Sequence, residues 1–147
     1  MTVIAHIPAA TGAELYHQVQ EFYAHQMQLL DDGRVDEWAL TFTPDGVFAA
    51  NAHPEPSTGR EAISAAARKA HAAMDEQGIR RRHWLGMVSV RESGPGSATA
   101  RCYALVIEIP RGGQAVVRLS TVCEDRLVLS EAGWQVQYRQ VNRDDLV

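Results

Sequence analysis

The sequence predicts an α+β fold: a cone-shaped, curved antiparallel sheet packed with about three N-terminal helices, enclosing an apolar pocket. Three observations lead there. The first third repeats its apolar residues at helical spacing, the half after Gly78 alternates them at strand spacing, and the strand-like runs are separated by short Gly/Pro turns. The order helix, helix, strand, helix and then a four-stranded meander is that of helices laid across one sheet.

The first helix is expected from Ala13 to Leu30. Leu15, Val19 and Phe22 form one stripe, and Tyr16, Tyr23, Met27 and Leu30 form the adjacent one. Thr11, with Glu14 three residues on, gives a capping-box start. The chain breaks at Gly33 and resumes as a short helix with Val35, Trp38, Ala39 and Phe42, ended by Pro44. "GVFAANA" reads as a short strand and "HPEPSTG" as a loop. "GREAISAAARKAHAAMDEQG" reads as a third helix closing at Gly78. Residues 80–91, 97–109, 114–129 and 133–142 are the expected meander strands.

With 147 residues the chain fits one domain with one core. The net charge of −4 argues against a nucleic-acid partner, because phosphate recognition needs a basic face. No run approaches the length of a membrane span and no signal-peptide pattern opens the chain, so the expectation is a cytoplasmic protein without a membrane partner. Cys102 and Cys123 lack metal-ligand spacing and read as reduced core residues. His6, His17, His25, His53 and His71 show no ligand spacing either, so no metal is expected. There is no GxGxxG, P-loop or G-x-S-x-G motif, which makes cofactor-free chemistry the expectation.

The stretch "RRRHWLGMVSV" carries the chemistry. On an unbroken strand His83 shares a face with Leu85, Met87 and Ser89, and Trp84, Val88 and Val90 point the other way. Asp31 follows Tyr23 and Met27 on one stripe of the first helix. A carboxylate at the inner end of an apolar wall, with an imidazole opposite, is suited to general acid/base work. Asp31 and His83 are therefore the catalytic candidates. Tyr23, Met27, Trp38, Phe42, Leu85, Met87, Tyr103 and Tyr138 are the candidate substrate contacts, and Glu108 and Asp125 are the other interior carboxylates. Each has a plainer reading: Asp31 as a turn cap beside Gly33, His83 as a structural histidine, the aromatics as core, and Arg80, Arg81 and Arg82 as solvated.

The run "LLDDGRVDEWALTFTPDGVFAANAHPEPSTGREAI", followed by "RRHWLG" and by "GWQVQYRQV", resembles the SnoaL-like division of the nuclear transport factor 2-like superfamily. That group includes polyketide cyclases, scytalone dehydratase, ketosteroid isomerase and the small subunits of ring-hydroxylating dioxygenases. The resemblance implies a cofactor-free cyclase, isomerase or lyase acting on a polyketide or related secondary metabolite. Asp31 and His83 match an Asp-His acid/base pair of scytalone dehydratase, whereas Leu30 and Ala50 stand where that enzyme has tyrosines. The alternative implied is a ligand-binding accessory protein or a dioxygenase small subunit, in which side chains would fill the cavity. Trp84, Val88, Val90, Val116, Val122, Val128 and Val141 leave apolar groups on both sheet faces, and with the family resemblance they imply a homodimer.

Overall fold

A computed structural model describes residues 12–147. The helices are α1 (Gly12–Asp31), α2 (Val35–Ala39) and α3 (Arg60–Glu76). The strands are β1 (Phe42–Ala50), β2 (Ser57–Thr58), β3 (Ile79–Gly94), β4 (Ser97–Pro110), β5 (Val116–Ser130) and β6 (Gly133–Arg143), followed by a 3₁₀ turn at Asp144–Leu146. One curved, unclosed sheet runs in the order β2-β1-β6-β5-β4-β3. The β1–β6 pair is parallel and every other pair is antiparallel. The expected α+β architecture is the observed one, with β2 as an addition inside the proline loop. The expected cap at Thr11 lies outside the described residues.

Period-two alternation builds the concave face. Ala98, Ala100 and Cys102 of β4, Cys123 and Leu127 of β5 and Val136 of β6 are buried there, in one cluster with Leu15, Val19 and Tyr23 of α1. Each fully buried Val or Leu is worth roughly 1.5–3 kcal/mol. At the α1–α2 junction Gly33 has φ +77°, a left-handed conformation that favours glycine, and a Cβ there would lie 2.6 Å from Nε2 of the exposed His71 side chain, which would have to move.

Two departures from the expected pattern have local causes. Phe42 opens β1 rather than closing α2, because α2 ends at Ala39 and Pro44 falls in the irregular pairing between Phe42 and Val47, where no ladder N–H is needed. In β3 the register shifts between Gly86 and Ser89, and Met87 takes φ +51°. This bulge inserts one residue and reverses the side-chain phase. Val88 and Val90 therefore pack against the core instead of facing outward, and Met87 is 80 % exposed.

Phe42 has 0 % exposure and meets Trp38 edge-on at 5.1 Å between ring centroids. Phe42→Ala should lower stability by about 3–5 kcal/mol, read as a shift in the urea midpoint with little change in slope.

Candidate functional site

The C-terminal residue of α1 meets the first third of β3. His83 Nδ1 lies 2.6 Å from Asp31 Oδ1, and the His83 backbone N–H donates to Asp31 Oδ2 at 3.1 Å. An ionised carboxylate only accepts hydrogen bonds, so this pairing places the ring proton on Nδ1. Both side chains are mostly buried, at 7 % exposure for Asp31 and 21 % for His83. Both carboxylate oxygens of Asp31 are thus committed to His83, while Nε2 has no protein partner among the described residues.

The pair lines a cavity of about 1270 Å³ between the helices and the concave sheet face. Met27, Leu30, Trp38, Phe48, Leu85 and Val106 contribute apolar wall, and exposed Glu55, Arg80 and Arg111 lie at its solvent side. Of the residues expected at the site, Asp31, His83, Met27, Trp38 and Leu85 are brought together.

The other five do not line this cavity. Tyr23 is buried beside it, its hydroxyl donating to Asp125 at 2.6 Å. Phe42 is enclosed by Trp38 and Phe48. Met87 is turned outward by the bulge, and Tyr103 faces outward because its neighbours Cys102 and Ala104 take the inner positions. Tyr138 likewise cedes the inner face to Arg139. It lines an outer groove of about 610 Å³, with the Arg126 guanidinium 5.2 Å from its ring centre.

Asp125, expected as an interior carboxylate, belongs to a polar cluster next to the cavity whose members Arg139, Gln26 and Thr41 were not expected. Arg139 donates through Nε and Nη2 to Asp125 at 2.9 and 2.8 Å, and through Nη2 to Gln26 at 2.7 Å. Gln26 in turn donates to Thr41 at 2.8 Å. Burial works against the Arg139 charge, but the adjoining Asp125 carboxylate outweighs it and holds the guanidinium well above its ordinary range. Burial and the same carboxylate push the Tyr23 hydroxyl up, so it remains a donor. The available signal was phase: Asp125 alternates with Cys123 and Leu127, and Arg139 with Val141, so each charge sits on an apolar rhythm. Glu108, the other interior carboxylate, is held by Arg81 at 3.0 Å and Arg118 at 3.2 Å.

Among the described residues no cluster of His, Cys, Asp and Glu is arranged to hold a metal ion. No helix there is long and apolar enough to cross a membrane.

The comparisons agree with this architecture. The chain belongs to the SnoaL-like domain family, whose profile matches residues 12–140. Aln2 from a Streptomyces species is 33% identical over 94% of this chain and 96% of its own, with a TM-score of 0.85. ActVI-ORFA from Streptomyces coelicolor is 32% identical over 89% and 98%, with a TM-score of 0.82. A Catenulispora acidiphila protein, solved in complex with S-DNPA, is 35% identical over 90% and 96%, with a TM-score of 0.77. The beta subunit of a putative aromatic-ring-hydroxylating dioxygenase from Novosphingobium aromaticivorans, at 17% identity and a TM-score of 0.69, shares the fold alone. No curated protein matches the chain.

Burial pushes the Glu108 carboxyl up, but its two arginines outweigh this and hold it below the ordinary value. A depressed folded value stabilises the protein above the unfolded carboxylate range, and that stabilisation is lost as pH falls through the folded value. Glu108→Gln should therefore lower the urea midpoint at pH 7 and flatten its fall on acidification, the variant converging on the wild type at the acid end.

Proposed function

We propose that the cavity is the active site of a cofactor-free cyclase or isomerase acting on a polyketide or related secondary metabolite. His83 Nε2 carries the proton and Asp31 positions the ring. The observation that carries the reading is the 2.6 Å contact between Nδ1 and Asp31, which leaves the second ring nitrogen without a protein partner among the described residues, in a largely apolar cavity. The complex of the Catenulispora relative with S-DNPA supports a small-molecule occupant, and the open cavity supports it over a structural subunit.

In the proposed step the Nε2 lone pair takes a proton from carbon next to a substrate carbonyl. The C–H electron pair becomes the enolate, and the imidazolium then returns the proton to a different carbon. Where the enolate carbon instead bonds to a second carbonyl carbon and so closes a ring, the proton goes to the alkoxide left when that C–O π bond breaks. Asp31 fixes the tautomer and stabilises the imidazolium without being protonated, as the carboxylate of a catalytic triad does. His83→Gln and Asp31→Asn should each stay folded and lower turnover by about two to four orders of magnitude, with the double variant little worse. Two folded and active single variants would remove the pair from the mechanism and favour a ligand-binding accessory role.

The convex sheet face is proposed to pair with a second copy of the chain. Trp84 is 66 % exposed, Met87 80 %, Val117 59 % and Tyr103 48 %, and they come from three adjacent strands. An apolar patch of this kind is ordinarily covered. Light scattering at micromolar concentration should give a dimer mass, and Trp84→Glu should reduce it to that of a monomer; a monomeric wild type rejects the pairing.

A further inference from the structure

Arg139 is a buried charged residue of the cavity wall that the acid/base step leaves unused. Its side chain is only 4 % exposed, yet the residue lines the cavity. A guanidinium carries five N–H groups. Asp125 and Gln26 take those on Nε and Nη2, and the pair on Nη1 has no protein acceptor among the described residues. Arg139 lines the cavity, and Nη1 is the end of its guanidinium that the bonds to Asp125 and Gln26 leave free.

The direction of that donor pair is fixed. The Tyr23 and Phe42 ring centres lie 5.8 and 5.6 Å from the guanidinium carbon. Tyr23 also anchors Asp125, and Thr41 anchors Gln26, so the fork has no second arrangement that keeps its bonds. Buried donors are ordinarily paired, so the free Nη1 pair points to an acceptor atom brought by a ligand.

Charge selects the kind of acceptor. Asp125 already balances Arg139, so a carboxylate here would add an uncompensated buried charge, whereas a carbonyl oxygen needs only the hydrogen bonds. Helix α1 gives the spacing. Tyr23 bonds Asp125, and Asp31, eight residues further on, bonds His83, which puts about 12 Å of helix between the two polar ends at 1.5 Å per residue. Met27 and Leu30 line the stretch between.

We propose that Arg139 Nη1 is a carbonyl-anchoring subsite. It holds a ketone or quinone-type oxygen of a planar, mostly apolar ligand at the end away from His83, and so sets which molecules are oriented for the proton transfer. This rests on the reading that the cavity takes a polycyclic small molecule.

The test compares calorimetric binding of 9,10-anthraquinone-2-sulfonate and anthracene-2-sulfonate, which share ring shape and sulfonate and differ in the ring carbonyls. The wild type should bind the quinone about tenfold tighter or more, as expected for a hydrogen bond to a charged donor. Arg139→Lys should abolish that preference and leave the anthracene affinity unchanged. If circular dichroism shows this variant unfolded, Asp125→Asn/Arg139→Gln, which leaves no charge unbalanced, takes its place. His83→Gln should keep the preference, because binding needs no turnover; its activity tests the acid/base reading separately. Equal affinities in the wild type, no saturable quinone binding, or a preference that survives in a folded Arg139 variant would overturn the subsite.

Discussion

Beneath the cavity two opposite charges are buried together, and most of the surrounding structure is arranged around that pair. Asp125 and Arg139 face each other across β5 and β6, with side-chain exposures of 0 % and 4 %. Dehydrating each ion costs several kcal/mol, a cost offset only when geometry is good and the remaining polar atoms are satisfied. Here Tyr23 and Gln26 of α1, with Thr41 of the α2–β1 junction behind Gln26, partner the carboxylate and the Nη2 end of the guanidinium. A one-residue slip of α1 would leave the pair under-satisfied in a dry interior. The polar cluster therefore selects the helix register, while the apolar cluster of Leu15, Val19 and Leu127 supplies the burial energy.

Register at one end of α1 decides geometry at the other. With Tyr23 fixed over Asp125, the helix delivers Asp31 to His83, where one carboxylate meets both a ring nitrogen and the backbone of the same residue. The two-point contact ties the histidine's orientation to the position of β3, not to a freely rotating side chain. The proposed chemistry at His83 and the proposed recognition at Arg139 would thus both depend on the placement of one helix across the sheet.

The architecture was largely legible in the sequence because it depends on periodicity and turn residues. The meander strands fall within a few residues of their expected ends, since Gly78, the Gly94–Gly96 turn and Gly112–Gly113 interrupt alternation sharply. The Asp31–His83 meeting was legible for the same reason, each lying on the inner phase of its own element. What was hidden depended on a single residue or on distant pairing. The bulge at Met87 changes parity without changing composition, so an even count placed Met87 inside and Val88 and Val90 outside. Phe42 suited helix or strand, and the end of α2 decided it. Arg139 finds Asp125 fourteen residues away and Tyr23 lies 102 residues from it, separations no local pattern encodes.

The order in which the ribosome releases these residues matters too. Tyr23 and Gln26 emerge early, Asp125 emerges about a hundred residues later, and the cation that neutralises it comes only with β6. Until then the inner face of β5 presents an uncompensated carboxylate, and α1 cannot seal over it without burying a bare charge. The helix is made first, but the ion pair it covers is complete only once β6 has been made. A nascent chain lacking β6 therefore exposes the apolar stripe of α1, the kind of surface that chaperones hold during synthesis.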